Sequence, residues 1–190
     1  MNYVSERKVN MNTVISKEYL CFDALLEIIL SRLDPLLGFN QIDLAELFGI
    51  TIPPGTQTSI KNVKYSNDIT ECGTNICIRD INQFFQKNSI QLKLSYIPSN
   101  CFDEISIGEI LTKNNRKAFI VFAFCYGLLY NEPQNNDVGH VALFEGIDIK
   151  SDTIEIYDPG PRNYGSKTVK VDDMVYAIKR RGGIYLFEKV

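Results

Sequence analysis

Histidine is nearly absent: His140 is the single one in 190 residues. No Cys-x-x-C pair occurs among the five cysteines, Cys21, Cys72, Cys77, Cys101 and Cys125. Structural zinc takes its ligands in tight pairs, so neither a metal nor another cofactor is expected. The opening stretch MNYVSERKVNMN lacks an apolar h-region, so it does not read as a secretory signal. An odd cysteine count without such a signal argues against a disulfide framework. There is no basic excess either: 20 Lys and Arg stand against 23 Asp and Glu, for a net charge of −3. That balance excludes a dense phosphate-binding face, so nucleic acid is not an expected partner. The one basic run, Lys179-Arg180-Arg181, suits a helix end. The most apolar run, Ala118–Tyr130, is too short to span a bilayer and is broken by Gly127. No repeat or low-complexity segment is present. These absences leave a soluble, cytoplasmic, globular protein with no membrane partner.

What is present has a clear order. Residues 1–17 read as an N-terminal arm and 18–190 as one domain. Apolar residues recur at helical spacing from Glu18 to Leu33, and QIDLAELFGI reads as a second, shorter helix. Thr51–Asp68, rich in Pro, Gly, Ser and Asn, reads as a long loop of the kind that often shields a site. Ile78–Lys87 is again amphipathic, SIQLKLSYIP alternates like a strand, and SIGEILTKNN reads as a short helix. Then come AFIVFAF, VALFEGIDI, TIEIYDP, TVKV and GIYLFEKV, all strand-like, with VDDMVYAIKRR as an inserted helix. Helices first and strands last is an α+β order, with helices packed against one side of an antiparallel sheet.

Cys21 falls in the first turn of the first long helix, where unpaired N–H groups favour an anion. Position alone also suits a small packing residue. VALFEGID and TIEIYDP form a hairpin about the Lys150–Asp152 turn. His140 near the start of one strand then faces Asp158 near the end of the other. A carboxylate there fixes the imidazole tautomer and supports its charge.

Four blocks carry a resemblance: YLCFDALLEIIL, GTNICIRDINQFFQKNSIQLKL, GHVALFEGID and IEIYDPGP. In order and spacing they resemble papain-like cysteine enzymes, and more closely the C39-like, bacteriocin-processing peptidases. The resemblance implies a papain-like fold, N-terminal helices on a C-terminal antiparallel sheet. It implies Cys21 as nucleophile, His140 as general base and acid, and Asp158 as orienting carboxylate. Two positions depart from the family pattern. Phe22 stands where Gly usually follows the nucleophile, and Ile15 stands where a Gln usually donates to the oxyanion. Asn12, Ser16 and the backbone N–H of Cys21 are the neighbouring donors. Cys72, in a Cys-Gly pair, is the rival thiol, but its block matches a helix that carries no catalytic group in the family.

A Cys thioester can pass its acyl group to an amine or to water. The missing Gln and the long loop tilt the expectation toward an amide-forming acyltransferase, similar to papain-fold enzymes of antibiotic assembly that use carrier-protein thioesters. The alternatives are a C39-like peptidase acting on a peptide or leader, and a catalytically inactive peptide-binding module.

Overall fold

The computed structural model describes residues 2–4, 14–103 and 107–190, with side chains described over 14–101 and 107–190. Most of the expected N-terminal arm therefore lies outside the described residues. In chain order the elements are β1 (Asn2–Val4), α1 (Cys21–Leu33), α2 (Gln41–Phe48), β2 (Ile50–Ile52), β3 (Val63–Tyr65), β4 (Gly73–Thr74), α3 (Ile78–Lys87), β5 (Leu92–Pro98), α4 (Ile107–Asn114), β6 (Ala118–Cys125), α5 (Tyr126–Leu129), β7 (Gly139–Asp148), β8 (Thr153–Asp158), β9 (Gly165–Lys170), α6 (Val171–Arg180) and β10 (Gly183–Lys189). They divide into two compact units. A sheet unit holds 78–158 and 165–190 together with β1, and a helical unit holds the chain up to Cys77 together with 159–164.

In the sheet unit the strands run β5-β10-β6-β7-β8-β9, each neighbouring pair antiparallel, with β1 added against the far half of β7. One face carries Phe122, Phe124, Ala142, Ile156 and Ile184, packed with apolar side chains of α4 and α6. Burying each of these large side chains stabilises the fold by about 1.5–3 kcal/mol. The expectation of helices on one side only is replaced here by cover on both. Along β10, Ile184 and Leu186 face the α4 and α6 side, while Phe187 points the other way and meets Phe85 of α3 edge-on at 6.3 Å. The cause is legible in β6, AFIVFAFC, which is apolar on both faces and so needs cover on both. Asn82 of α3 fixes that helix to β5 by accepting from Leu94 N–H at 2.7 Å and donating to Leu94 C=O at 2.9 Å.

In the helical unit α1 is buried on nearly all sides, as a helix apolar all round must be. It starts at Cys21, three residues later than the periodicity suggests. Tyr19 is the reason: its φ of 66° is left-handed, which a helix of L-residues excludes. A tight turn, with Leu20 N–H donating to Lys17 C=O at 3.1 Å, then delivers the chain to the helix. The start of α2 is held by an Asn40–Asp43 capping box and by Glu27 of α1, which accepts from Gln41 N–H at 2.8 Å. The expected loop Thr51–Asp68 is shorter than its composition implied. Ile50 and Ile52 are buried, and β2 pairs in parallel with β3 and antiparallel with β4, so open loop is left between β2 and β3 and over residues 66–68.

Candidate active site

The hairpin of β7 and β8 is where the chain's one imidazole is fixed. Its register runs Asp148↔Thr153 to Gly146↔Glu155, then shifts, resuming at Phe144↔Ile156 and Leu143↔Tyr157. Glu145 is thus an extra residue on β7, a β-bulge. Side chains alternate between faces, so one extra residue exchanges the faces of everything beyond it. Without the bulge, Asp158 would stand opposite Leu143 and point away from His140. With it, the register continues to place Asp158 opposite Ala142, on the face His140 shares. His140 and Asp158 are therefore diagonal neighbours rather than directly opposed. The side chains close the diagonal, with His140 Nε2 2.8 Å from Asp158 Oδ1.

Both groups are deeply set: Asp158 has no exposed surface, and His140 is 9% exposed. A carboxylate can only accept, so Nε2 donates, which leaves Nδ1 on the other edge of the ring as the basic nitrogen. The second carboxylate oxygen of Asp158 accepts from the hydroxyl of Tyr130. Burial, and then the negative charge of Asp158, hold the Tyr130 phenol far above its ordinary pKa, so it remains a donor. Phe124, paired with His140 across the β6–β7 ladder, sets its ring perpendicular to the imidazole at 5.6 Å. Tyr126 does the same at 5.3 Å. The imidazole is held by two ring edges and one carboxylate. Ahead of it Gly139 has no room for a freely placed side chain, since a Cβ would lie 3.2 Å from Arg181 Nε.

Cys21 belongs to the helical unit. It is the first residue of α1 and is partly exposed, so its sulfur is accessible. Leu20 at the cap offers no side-chain acceptor, so the first N–H groups of α1 are not capped from within. The approach segment is clamped by Gln41, which donates to Ile15 C=O at 3.0 Å and accepts from Lys17 N–H at 2.8 Å. Two residues beyond the thiol, Asp23 is fully buried. One oxygen accepts from Thr74 Oγ1 at 2.6 Å, and the other has no hydrogen-bond partner among the described residues. Desolvation, partly offset by the Thr74 bond, pushes the Asp23 carboxyl up to about 7. A cavity of about 230 Å³ in the same unit opens beside Lys17–Leu20, floored by Ile42, Ile50, Ile52 and Ile60.

Among the other thiols, Cys72 is held above its ordinary pKa by burial and by Asp68 and Glu71, which opposes a thiolate. Cys125 is buried and donates to Asn136 C=O at 2.9 Å. Ser16 is spent on Lys17 C=O at 2.6 Å, and Asn12 lies outside the described residues. Among the described residues no group of three or more His, Cys, Asp or Glu is gathered as a metal site. None of their helices is long and apolar enough to cross a membrane. Tyr130, the bulge at Glu145, the Gln41 clamp and the Asp23–Thr74 pair were all missed by sequence reasoning. Only Asp23 left a signal, as a carboxylate inside an otherwise apolar helix.

No family model and no curated protein matches the sequence. Among solved structures, the whole chain is similar to a Bacillus anthracis protein described as a C39-like peptidase. The TM-score is 0.63 at 14% identity, covering 100% of this chain and 98% of that one. The fold is that of a C39-like peptidase. At this identity the likeness speaks for the fold, a mixed one with a large antiparallel sheet.

Proposed function

We propose that the chain is a C39-like cysteine peptidase, with Cys21 as nucleophile, His140 as base and acid, and Asp158 as the orienting carboxylate. The observation that carries this reading is the buried His140–Asp158 pair on the face created by the bulge. A polar pair so enclosed costs desolvation, and a proton-transfer role gives it a use. The half-exposed thiol at the start of α1 and the C39-like fold support it. The reading joins one group from each unit, and that joining is what the experiment tests.

In this mechanism the Cys21 thiol gives its proton to Nδ1 of His140 as sulfur bonds to a peptide carbonyl carbon. The carbonyl oxygen becomes an oxyanion, with the backbone N–H of Cys21 as the donor nearest the reacting sulfur. The imidazolium then protonates the departing amine as the C–N bond breaks, leaving a thioester. Water, deprotonated by the same imidazole, cleaves the thioester and regenerates the thiol. The cavity beside Lys17–Leu20, with its floor of aliphatic side chains, suits an apolar residue of the peptide.

The amide-forming acyltransferase shares every step up to the thioester and differs only in the acceptor. Intact-mass measurement after incubation with a peptide panel, and separately with carrier-protein thioesters, tests both. An acyl adduct on Cys21 that water resolves within the assay, and that Cys21→Ala removes, is the expected result. An adduct resolved by amine in preference to water replaces the peptidase with the transferase. An adduct on Cys72, or none on any thiol, sinks the assignment and leaves a peptide-binding module.

A further inference from the structure

Asp158 has two hydrogen-bond partners in the site, His140 and Tyr130, and Tyr130 is the one that no triad requires. A carboxylate with no exposed surface needs both oxygens satisfied, because an orphaned charge in a low dielectric is costly. His140 takes Oδ1 and the Tyr130 hydroxyl takes Oδ2. The backbone is built to deliver that hydroxyl. Tyr126 N–H continues the ladder by donating to Val138 C=O at 2.9 Å, and Tyr130 N–H closes the single turn of α5 on Tyr126 C=O at 3.1 Å. Gly127 lets that turn sit directly on the Pro133–Asn135 turn, since a Cβ there would be 2.5 Å from Glu132 C=O. The ring of Tyr130 packs on Tyr126 at 4.9 Å and on Phe124 at 6.2 Å, the same two rings that flank the imidazole.

We infer that Tyr130 is a positioning residue that locks the Asp158 carboxylate and limits how strongly it supports a charged His140. This rests on the reading of His140 as the base. A donor on Oδ2 draws negative charge away from Oδ1, so the carboxylate holds the imidazole in orientation without over-stabilising the imidazolium. The imidazolium is then less strongly stabilised than beside an unneutralised carboxylate. Beside the imidazole, Tyr126 of α5 sets its ring perpendicular to it, and Tyr130, which follows α5, bonds the carboxylate that holds it. Arg181, which follows α6, stands beside Gly139 and donates to Asp137 C=O at 2.9 Å.

The test uses the fact that the chain has one histidine, so its imidazole NMR signals need no assignment. Tyr130→Phe keeps the ring and removes the donor. The imidazole is expected to titrate about one unit higher than in the wild type, since a less neutralised carboxylate favours its charged form. Replacing Tyr130 alone by 3-fluorotyrosine, whose phenol is more acidic and a stronger donor, is expected to move it the other way. In turnover, Tyr130→Phe is expected to lower kcat about tenfold with KM nearly unchanged, and to move the acid limb of the pH profile upward. An imidazole that titrates alike in all three proteins, or moves in the same direction in both variants, overturns the inference. If Tyr130→Phe does not fold, the fluorotyrosine protein still decides it by the direction of its shift. The titration needs no substrate. Opposed shifts in a chain that forms no acyl-enzyme would keep the role of Tyr130 and remove the peptidase.

Discussion

In the sheet unit a buried carboxylate, Asp158, has both oxygens engaged, by His140 and Tyr130; in the helical unit another, Asp23, has one oxygen bonded to Thr74 and the other without a hydrogen-bond partner among the described residues. Both lie out of contact with solvent. The difference lies in the donors each buried acid meets. Asp158 has one on each oxygen, His140 Nε2–H and the Tyr130 hydroxyl. For Asp23, desolvation outweighs the bonds from Thr74 and from its own backbone N–H and drives it up to about 7, so it is a titrating group at ordinary pH.

The comparison can be broken most severely on the sheet side. His140→Ala should lower acyl-enzyme formation about 10²–10⁴-fold, the usual worth of a general base, as followed by the rate of Cys21 adduct formation. Asp158→Asn should cost only about tenfold in the same assay, because an amide still accepts from the ring and loses chiefly the charge. Equal losses would show that the pair works only as a unit.

On the helical side the effect is on stability. Asp23 has a folded pKa of about 7 against an ordinary carboxyl value of 3.8. The folded chain therefore binds a proton that the unfolded chain has already lost between roughly pH 4 and pH 7. Stability should fall as pH rises through that window and level off above it, by on the order of 4 kcal/mol in all. Asp23→Asn should flatten the slope in urea titrations at pH 4.5 and pH 8. An unchanged slope would mean that the carboxyl is solvated in solution. The smallest effect is expected at Cys72→Ser, an exchange at the thiol whose surroundings oppose ionisation. It should leave adduct formation within about twofold of the wild type.

Much of this was open to sequence reading where periodicity is strong. Ile78–Lys87 is α3 to the residue, because Ile81, Phe84 and Phe85 mark a face that only a helix can bury. The β7–β8 hairpin and the pairing of His140 with Asp158 were legible from alternation and turn chemistry. The bulge was not, since an extra residue in an apolar run leaves no mark on composition. The start of α1 was misplaced because a left-handed tyrosine is rare enough to escape any propensity. β2 and β3 were hidden in a segment rich in Pro, Gly and Ser, where pairing is decided by Ile50 and Ile52 finding a core. Tyr130 closes an apolar run and so reads as packing. Its bond to Asp158 is a contact between residues far apart in sequence, which no local pattern encodes.

The Gln41 side chain grips the backbone on both sides of Ser16, while its own amide is tied to Glu27 in the middle of α1. The peptide leading into the thiol is thus fastened, through a neighbouring helix, to the helix that the thiol begins. Fraying there cannot proceed one turn at a time: release of the lead-in, unwinding of α2 and loss of the Glu27 anchor are a single cooperative event. Heat or denaturant should therefore take the reactive end of α1 from ordered to lost in one step, with no population in which the sulfur swings on a loose tether.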